Sequence, residues 1–179
     1  LLGRRGVESP GAVDVVAELE GLGAQVRVEA CDVADRHALA QVIDCLGDDI
    51  PLTAVVHAAG VDDPGALLET SAGELARVMR AKVVGAANLD AVLGERALDA
   101  FVVFSSISGV WGSGGQAAYS AANAYLDGLV LARRARGLAG SALAWGPWAG
   151  SGMAAAGVAG RELARRGLRS LDPNVAVGL

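Results

Sequence analysis

Aromatic residues are scarce in this sequence and make up only 4% of its 179 residues. Hydrophobic residues nevertheless account for 53%, so a sizeable core must be built mainly from alanine, valine and leucine, which argues against disorder. With 25 glycines, this composition favours a parallel sheet that helices cover closely. The length is typical of one domain.

Cysteine and histidine are also few. Cys31 and Cys45 cannot build a disulfide scaffold, and we expect two buried, reduced thiols of a cytoplasmic protein. His37 and His57 are the only histidines, and no close cysteine pair accompanies them. The sequence therefore predicts no metal site.

Basic residues are outnumbered, with 15 lysines and arginines against 20 acidic residues. The net charge of −5 and the lack of a long basic run argue against a nucleic-acid partner. An uncharged run of 24 residues, 137–160, is long enough for a membrane span, but its seven glycines and Pro147 indicate strand, turn and loop. We therefore expect no membrane partner either.

Segments typical of buried strands alternate with segments typical of helices. The predicted strands cover residues 1–2, 26–33, 52–60, 99–106 and 141–146. The predicted helices cover residues 10–21, 35–46, 71–93 and 117–136. This alternation predicts an α/β fold with a doubly wound parallel sheet, whose ligands lie beyond the carboxyl ends of the strands.

Three of the helix starts carry local signals. Asp35 can cap the second helix, and Ser71 with Glu74 forms a capping box for the third. Pro10 suits the first position of the first helix, where Val13 begins an apolar stripe.

Tyr119 and Asn123 stand four residues apart on the last predicted helix, so they share one face. Ser106 ends the strand before that helix, and the glycine-rich link lets its hydroxyl approach the phenol. Lys82, on the preceding helix, is the only lysine among the 15 basic residues. Its ammonium would favour the phenolate of a nearby tyrosine, and such a phenol can give a proton to a carbonyl oxygen that receives hydride. A serine hydroxyl can hydrogen-bond the same oxygen.

Each of these residues also has an ordinary structural interpretation. Ser106 could bond the backbone at its strand end, Tyr119 could be an anchored surface ring, and Lys82 could be a solvated helix lysine. The spacing by itself leaves both interpretations open.

Longer segments carry a more specific resemblance. They are HAAG (57–60), AKVVGAANL (81–89), VVFSSISGVWGSGGQAAYSAANAYLDGLVLARRARGL (102–138) and ALAWGPWAGSGM (142–153). Over essentially the whole chain they resemble the ketoreductase domain of modular polyketide synthases, a branch of the short-chain dehydrogenases/reductases with a Rossmann-like sheet. Ordinary members of that superfamily have lysine four residues after the tyrosine, whereas here Asn123 stands there and Lys82 lies on the earlier helix. This exchange is typical of polyketide ketoreductases.

The resemblance implies a role for each residue of the set. Tyr119 would be the proton donor, Ser106 the carbonyl anchor, Lys82 the tuning cation and Asn123 a supporting polar group. The reaction would be NADPH-dependent reduction of the β-keto group of a thioester on an acyl carrier protein. Two alternatives stay open: a free-standing short-chain reductase of a small ketone, against which Asn123 argues, and a non-catalytic structural domain, against which the retained catalytic set argues.

The resemblance also assigns residues to NADPH. Arg4 would pair bidentately with the 2′-phosphate, and Arg5 would either assist it or be a solvated turn arginine. The remaining positions are Asp32 and Val33 beside the adenine, Ala59 and Gly60 at the ribose, and Pro147 and Trp148 beside the nicotinamide, together with Lys82 and Tyr119.

One expected feature is missing from the sequence. The phosphate loop G-x-G-x-x-G does not occur before Arg4, and GSGG (112–115) lies after the Ser106 strand, so it cannot replace that loop. We therefore expect residues 1–179 to be a fragment of the catalytic domain without its first strand and phosphate loop, to be completed by a preceding segment and neighbouring domains.

Trp111 predicts the stereochemical type. HAAGV is followed by Asp62, Asp63 and Pro64, which do not match the Leu-Asp-Asp motif of one type of polyketide ketoreductase. Trp111 stands eight residues before Tyr119, as in the A-type, where this tryptophan orients the substrate. The resemblance therefore implies an L-configured β-hydroxyl product, although Trp111 could also simply be wedged against the sheet edge.

Overall fold

A computed structural model of the chain describes residues 1–47, 51–61, 64–150, 165 and 167–178. The strands are β1 (Leu2–Gly3), β2 (Glu29–Ala30), β3 (Ala54–His57), β4 (Ala100–Ser106) and β5 (Ser141–Trp145). The helices are α1 (Ala12–Gly21), α2 (Arg36–Asp44), α3 (Ala72–Met79), α4 (Gly85–Leu93), α5 (Ser108–Trp111), α6 (Ala117–Ala135) and α7 (Pro173–Val177).

Every strand pair in the described residues is parallel, which confirms the predicted α/β class. The strands form two sheets, one with the order β1-β2 and one with the order β3-β4-β5. In the larger sheet His57 pairs with Val103, and Ser106 pairs with Trp145. The carboxyl ends of its three strands therefore lie at one edge.

The capping predictions are confirmed. The Asp35 carboxylate accepts hydrogen bonds from the N–H groups of His37 and Ala38 at the start of α2. Ser71 and Glu74 form both bonds of a capping box at the start of α3. Each such cap is typically worth about 1 kcal/mol of stability, because it satisfies N–H groups that have no partner within the helix.

The prediction for the start of the first helix is wrong. The helix α1 begins at Ala12, after Gly11 with φ of +77°, so Pro10 lies outside it. Its apolar stripe is not buried, and the Val13 side chain is 66% exposed. The amphipathic pattern produced the helix, but within the described residues no surface covers its apolar side.

The predicted helix over residues 71–93 is interrupted by a π-helical segment, Arg80–Val84, between α3 and α4. Such wide turns are rare and often lie at functional sites, because they change the direction of the side chains around them. Gly85 follows at a close approach, since a Cβ atom there would lie 2.7 Å from Val33 and 3.3 Å from His57. The segment is therefore held directly over the ends of β2 and β3.

The core lies on the larger sheet, where Leu39, Phe101, Val103 and Leu126 are fully or almost fully buried. Beside this core, the buried Arg133 guanidinium lies 4.0 Å from the centre of the Phe101 ring. Arg133 also forms an ion pair with Asp90, so α6 is tied to α4.

Other details add to or correct the predictions. Cys31 is buried as expected, whereas Cys45 follows the last turn of α2 and is exposed, so the prediction of two buried thiols is wrong for Cys45. The short helices α5 and α7 were not predicted. Within the described ranges, no cluster of three metal-ligating side chains occurs, and no helix has the length and hydropathy of a membrane span.

Candidate functional site

The edge formed by the carboxyl ends of β3, β4 and β5 is flanked by the π-helical segment and by α6. Lys82 lies at the centre of the segment, and Tyr119 and Asn123 lie in the first two turns of α6. Residues from two separate parts of the chain therefore converge where the topology of a parallel sheet predicts a ligand.

Lys82 is almost completely buried, with 3% of its surface exposed. Its ammonium donates a hydrogen bond of 2.7 Å to the Phe104 carbonyl oxygen and lies 5.5 Å from the centre of the Tyr119 ring. Burial lowers the pKa of Lys82 to about 8, and the carboxylate of Asp127 opposes this effect. The ammonium thus keeps most of its charge at neutral pH. The alternative of a solvated helix lysine is excluded.

The position of Lys82 depends on Gly60. A Cβ atom at residue 60 would lie 2.9 Å from the Lys82 Cε atom, which is closer than carbon atoms pack. Glycine therefore leaves the space that the lysine side chain occupies on its way to the Tyr119 ring.

Asn123 is fully buried and acts on the backbone of α6. Its side-chain N–H donates a hydrogen bond of 2.8 Å to the Tyr119 carbonyl oxygen. The Ser105 hydroxyl donates one of 3.3 Å to the Asn123 carbonyl oxygen, which ties the helix to β4. On the other side, the backbone at Gly109 packs against Asn123 so closely that a Cβ atom there would lie 3.0 Å from the Ala124 nitrogen. These contacts fix the turn that carries Tyr119.

Ser106 ends β4, and its hydroxyl oxygen accepts a hydrogen bond of 3.2 Å from the Ser108 N–H. Ser106 therefore forms the hydrogen bond to the backbone that its structural interpretation predicted. It uses a lone pair of the oxygen, and the hydroxyl hydrogen is not needed for it.

His57 ends β3 at the same edge, and sequence reasoning gave it no role. Burial and the nearby positive charge of Lys82 lower its pKa to about 4, so the imidazole is neutral at pH 7. Its Nε2 atom is buried and has no hydrogen-bond partner in the described residues.

The residues assigned to the cofactor lie just beyond the carboxyl ends of four different strands. Arg4 follows β1, Asp32 and Val33 follow β2, Ala59 and Gly60 follow β3, and Pro147 and Trp148 follow β5. The Trp148 ring packs on Trp145 with 4.7 Å between the ring centres. Positions beyond the carboxyl ends of parallel strands are where such folds bind a nucleotide.

The Asp32 carboxylate interacts electrostatically with Arg4, which is also assigned to the cofactor, and with Arg80. The Ala34 N–H donates to its carboxylate at 2.9 Å and lowers the pKa of Asp32, and the guanidinium groups of Arg80 and Arg4 act in the same direction. Arg80 reaches Asp32 at 3.2 Å from the π-helical segment. Arg4 therefore lies near Asp32, and its cofactor assignment stays a prediction. Arg4 and Arg5 are both exposed, and both interpretations of Arg5 stay open.

Of the residues of the stereochemical prediction, Trp111 follows β4, the strand that ends in Ser106. Trp111 ends α5 and is 72% exposed, so it is not wedged against the sheet edge. Asp62 and Asp63 lie outside the described residues.

Sequence reasoning did not single out Asp127, Arg80 or the Phe104 carbonyl. For Asp127 a signal was available, because it stands four residues after Asn123 and eight after Tyr119 on one helix. Arg80 and Phe104 act through contacts between distant segments, and no local pattern marks them.

A parallel α/β sheet with a serine, a tyrosine and a lysine at its carboxyl edge defines a domain with the fold of the short-chain dehydrogenases/reductases. The family model described as "KR domain" matches residues 1–150. The chain belongs to this family, the ketoreductase domains.

The relatives are large synthases. The chain is 52% identical to polyketide synthase GfsA of Streptomyces halstedii, over 97% of the chain and 2% of that protein. It is 47% identical to pikromycin polyketide synthase component PikAIII of Streptomyces venezuelae, over 99% of the chain and 11% of that protein. The chain thus spans a small part of the length of each relative.

Solved structures agree in fold. The structure of an A1-type ketoreductase superposes with a TM-score of 0.95 at 47% identity, and the alignment covers 99% of this chain and 38% of that chain. The first ketoreductase of the tylosin synthase gives a TM-score of 0.89 at 47% identity, with 99% and 38% covered.

Proposed function

We propose that this chain forms the catalytic part of a ketoreductase that reduces the β-keto group of a thioester carried by an acyl carrier protein, within a cytoplasmic polyketide synthase. The observation that carries the proposal is the buried Lys82 ammonium held 5.5 Å from the Tyr119 ring. The polyketide synthases among the relatives support the substrate class, and the two free cysteines are compatible with the cytoplasm.

NADPH would supply the hydride that adds to the carbonyl carbon. The Tyr119 hydroxyl donates its proton to the carbonyl oxygen, which becomes the alcohol. The Ser106 hydroxyl donates a hydrogen bond to the same oxygen and keeps it in line with the phenol. Lys82 stabilises the phenolate that remains, because opposite charges attract strongly where water is excluded. Asn123 holds the helical turn under Tyr119.

The choice of NADPH over NADH rests on Arg4. A guanidinium pairs with a phosphate through two parallel hydrogen bonds and gains little from a bare ribose hydroxyl. Its position directly after β1, beyond the carboxyl end of a parallel strand, supports this assignment.

The A-type assignment leads to the product configuration. The exposed Trp111 stands at the end of α5, the short helix that follows the Ser106 strand. By directing the acyl chain it would decide which carbonyl face meets the hydride, and the product would be the L-configured β-hydroxyacyl thioester. The A-type solved structures support this assignment.

The test is reduction of a β-ketoacyl thioester and of a small free ketone by the complete domain that carries this chain, followed by chiral chromatography. We expect NADPH-dependent turnover, a preference for the thioester and a mainly L-configured product. Equal efficiency on the free ketone would favour the free-standing reductase, and absence of turnover would favour a structural domain. A mainly D-configured alcohol would refute the role of Trp111 and would leave the other assignments unaffected.

A further inference from the structure

Asp127 extends the catalytic face of α6 by one turn. It follows Asn123 by four residues and Tyr119 by eight, so the three side chains share one side of the helix. The helix packs against the π-helical segment that carries Lys82. The Oδ1 atom of Asp127 is buried and has no hydrogen-bond partner in the described part of the chain. A buried carboxylate oxygen without a partner is costly unless an opposite charge compensates it.

Lys82 supplies that opposite charge. Its ammonium donates a hydrogen bond to the Phe104 carbonyl, which carries no net charge, and lies 5.5 Å from the centre of the Tyr119 ring. The carboxylate of Asp127 raises the pKa of Lys82 against the larger effect of burial. His57, at the end of β3, also interacts with Lys82, but its pKa of about 4 leaves it uncharged at neutral pH.

We propose that Asp127 is a positioning residue whose carboxylate is the counter-charge of Lys82, keeping this lysine protonated beside Tyr119. Asp127 touches neither substrate nor cofactor and acts only through Lys82. The inference rests on the function proposed above, because it is that reaction which needs a charged lysine at residue 82. Without the carboxylate, the buried amine would lose its proton at lower pH, and the phenolate would lose its stabilising cation.

The chain offers a direct test, because Lys82 is its only lysine. When lysine is labelled with ¹³C at Cε, residues 1–179 give a single lysine resonance. In a longer polypeptide with further lysines, the resonance of Lys82 is identified as the one that disappears in Lys82→Arg. Its chemical shift, followed against pH without cofactor or substrate, reports the protonation of Lys82 itself. The wild-type midpoint is expected near pH 8.

The decisive variant is Asp127→Asn, which keeps the shape of the side chain and removes its charge. We expect a lower midpoint, with the protonated fraction at pH 8 falling from about a half to about a tenth. Asp127→Glu should restore most of the wild-type midpoint. Asp14→Asn, on the exposed surface of α1, should leave it unchanged. In the complete domain, the basic limb of the kcat/KM profile should move to lower pH in Asp127→Asn only.

An unchanged midpoint in a folded Asp127→Asn variant would overturn the proposal. So would loss of the folded state in both Asp127→Asn and Asp127→Glu, with the lysine titrating as in a free peptide, because Asp127 would then serve folding alone. A shifted midpoint in a domain that reduces no thioester would uphold the Asp127–Lys82 pair and refute the proposed function, so the two can fail separately.

Discussion

The unit of β3, β4 and β5 with its helices and the unit of β1, β2 and α1 share one α/β pattern but differ in burial. In the first, α6 alone buries six residues, Asn123 and Arg133 among them, whereas α1 in the second buries none. Leu22, directly after α1, is 80% exposed. The comparison teaches that an amphipathic sequence specifies a helix, while burial also needs a surface to pack against. The buried unit carries the groups that we propose react, and the exposed unit carries Arg4, which we propose selects the cofactor.

The largest expected effect is on turnover, in a variant of α6 that removes a reacting hydroxyl and keeps the packing of the ring. Tyr119→Phe in the complete domain should lower turnover by about 10²–10⁴-fold, because it removes the proton donor and keeps the ring beside Lys82. Cofactor binding, measured by fluorescence titration, should stay close to wild type. The matched control is Tyr125→Phe, since this tyrosine lies on the same helix and is partly exposed. Near-normal turnover in Tyr119→Phe would show that the assignment is wrong.

The next prediction compares ion pairs of the two units. Asp90→Ala should lower the free energy of unfolding by about 3–5 kcal/mol, because it leaves the Arg133 guanidinium buried without a counter-charge. Glu29→Ala should cost less than about 1 kcal/mol, because its 2.7 Å pair with Arg27 is exposed. Urea denaturation measures both. Equal losses would mean that the difference in burial has no energetic consequence.

The buried His57, in the unit of β3, β4 and β5, predicts that the protein loses stability in acid. Its pKa is about 4 in the folded chain, below the ordinary value of 6.5, so the unfolded chain binds the proton more readily. The stability it contributes is complete above pH 6.5 and is lost as the pH falls through 4, by roughly 3 kcal/mol.

Thermal unfolding between pH 7 and pH 4 measures this loss. In His57→Asn the part of the decrease that is due to the imidazole should disappear, whereas His37→Asn, in the first turn of α2, should behave as the wild type. An identical pH profile in His57→Asn would contradict the assignment.

The smallest effect is expected in the exposed unit. Arg4→Ala should lower kcat/KM with NADPH about tenfold, leave the value with NADH nearly unchanged, and alter stability little. Arg5→Ala decides between the two interpretations of Arg5, since a similar loss would assign it to the phosphate as well. Equal efficiency of the wild type with both cofactors would refute the role of Arg4.

The sequence determined the local structure and indicated the proposed catalytic set. Alternating strands and helices, the caps at Asp35 and Ser71, and the shared face of Tyr119 and Asn123 depend on neighbours in the chain, and the structure agrees with each of them. The unusual single lysine also indicated Lys82, and the family resemblance turned that indication into a specific expectation.

Only the tertiary structure decided the environment of these residues. The burial of Lys82, the alignment of Asp127 with it, the neutral His57 and the exposed side of α1 all depend on segments far apart in the chain. A local pattern fixes where a side chain points on its own helix or strand. Which surface it meets, and so how its charge is desolvated and compensated, is decided by the packing of the whole chain.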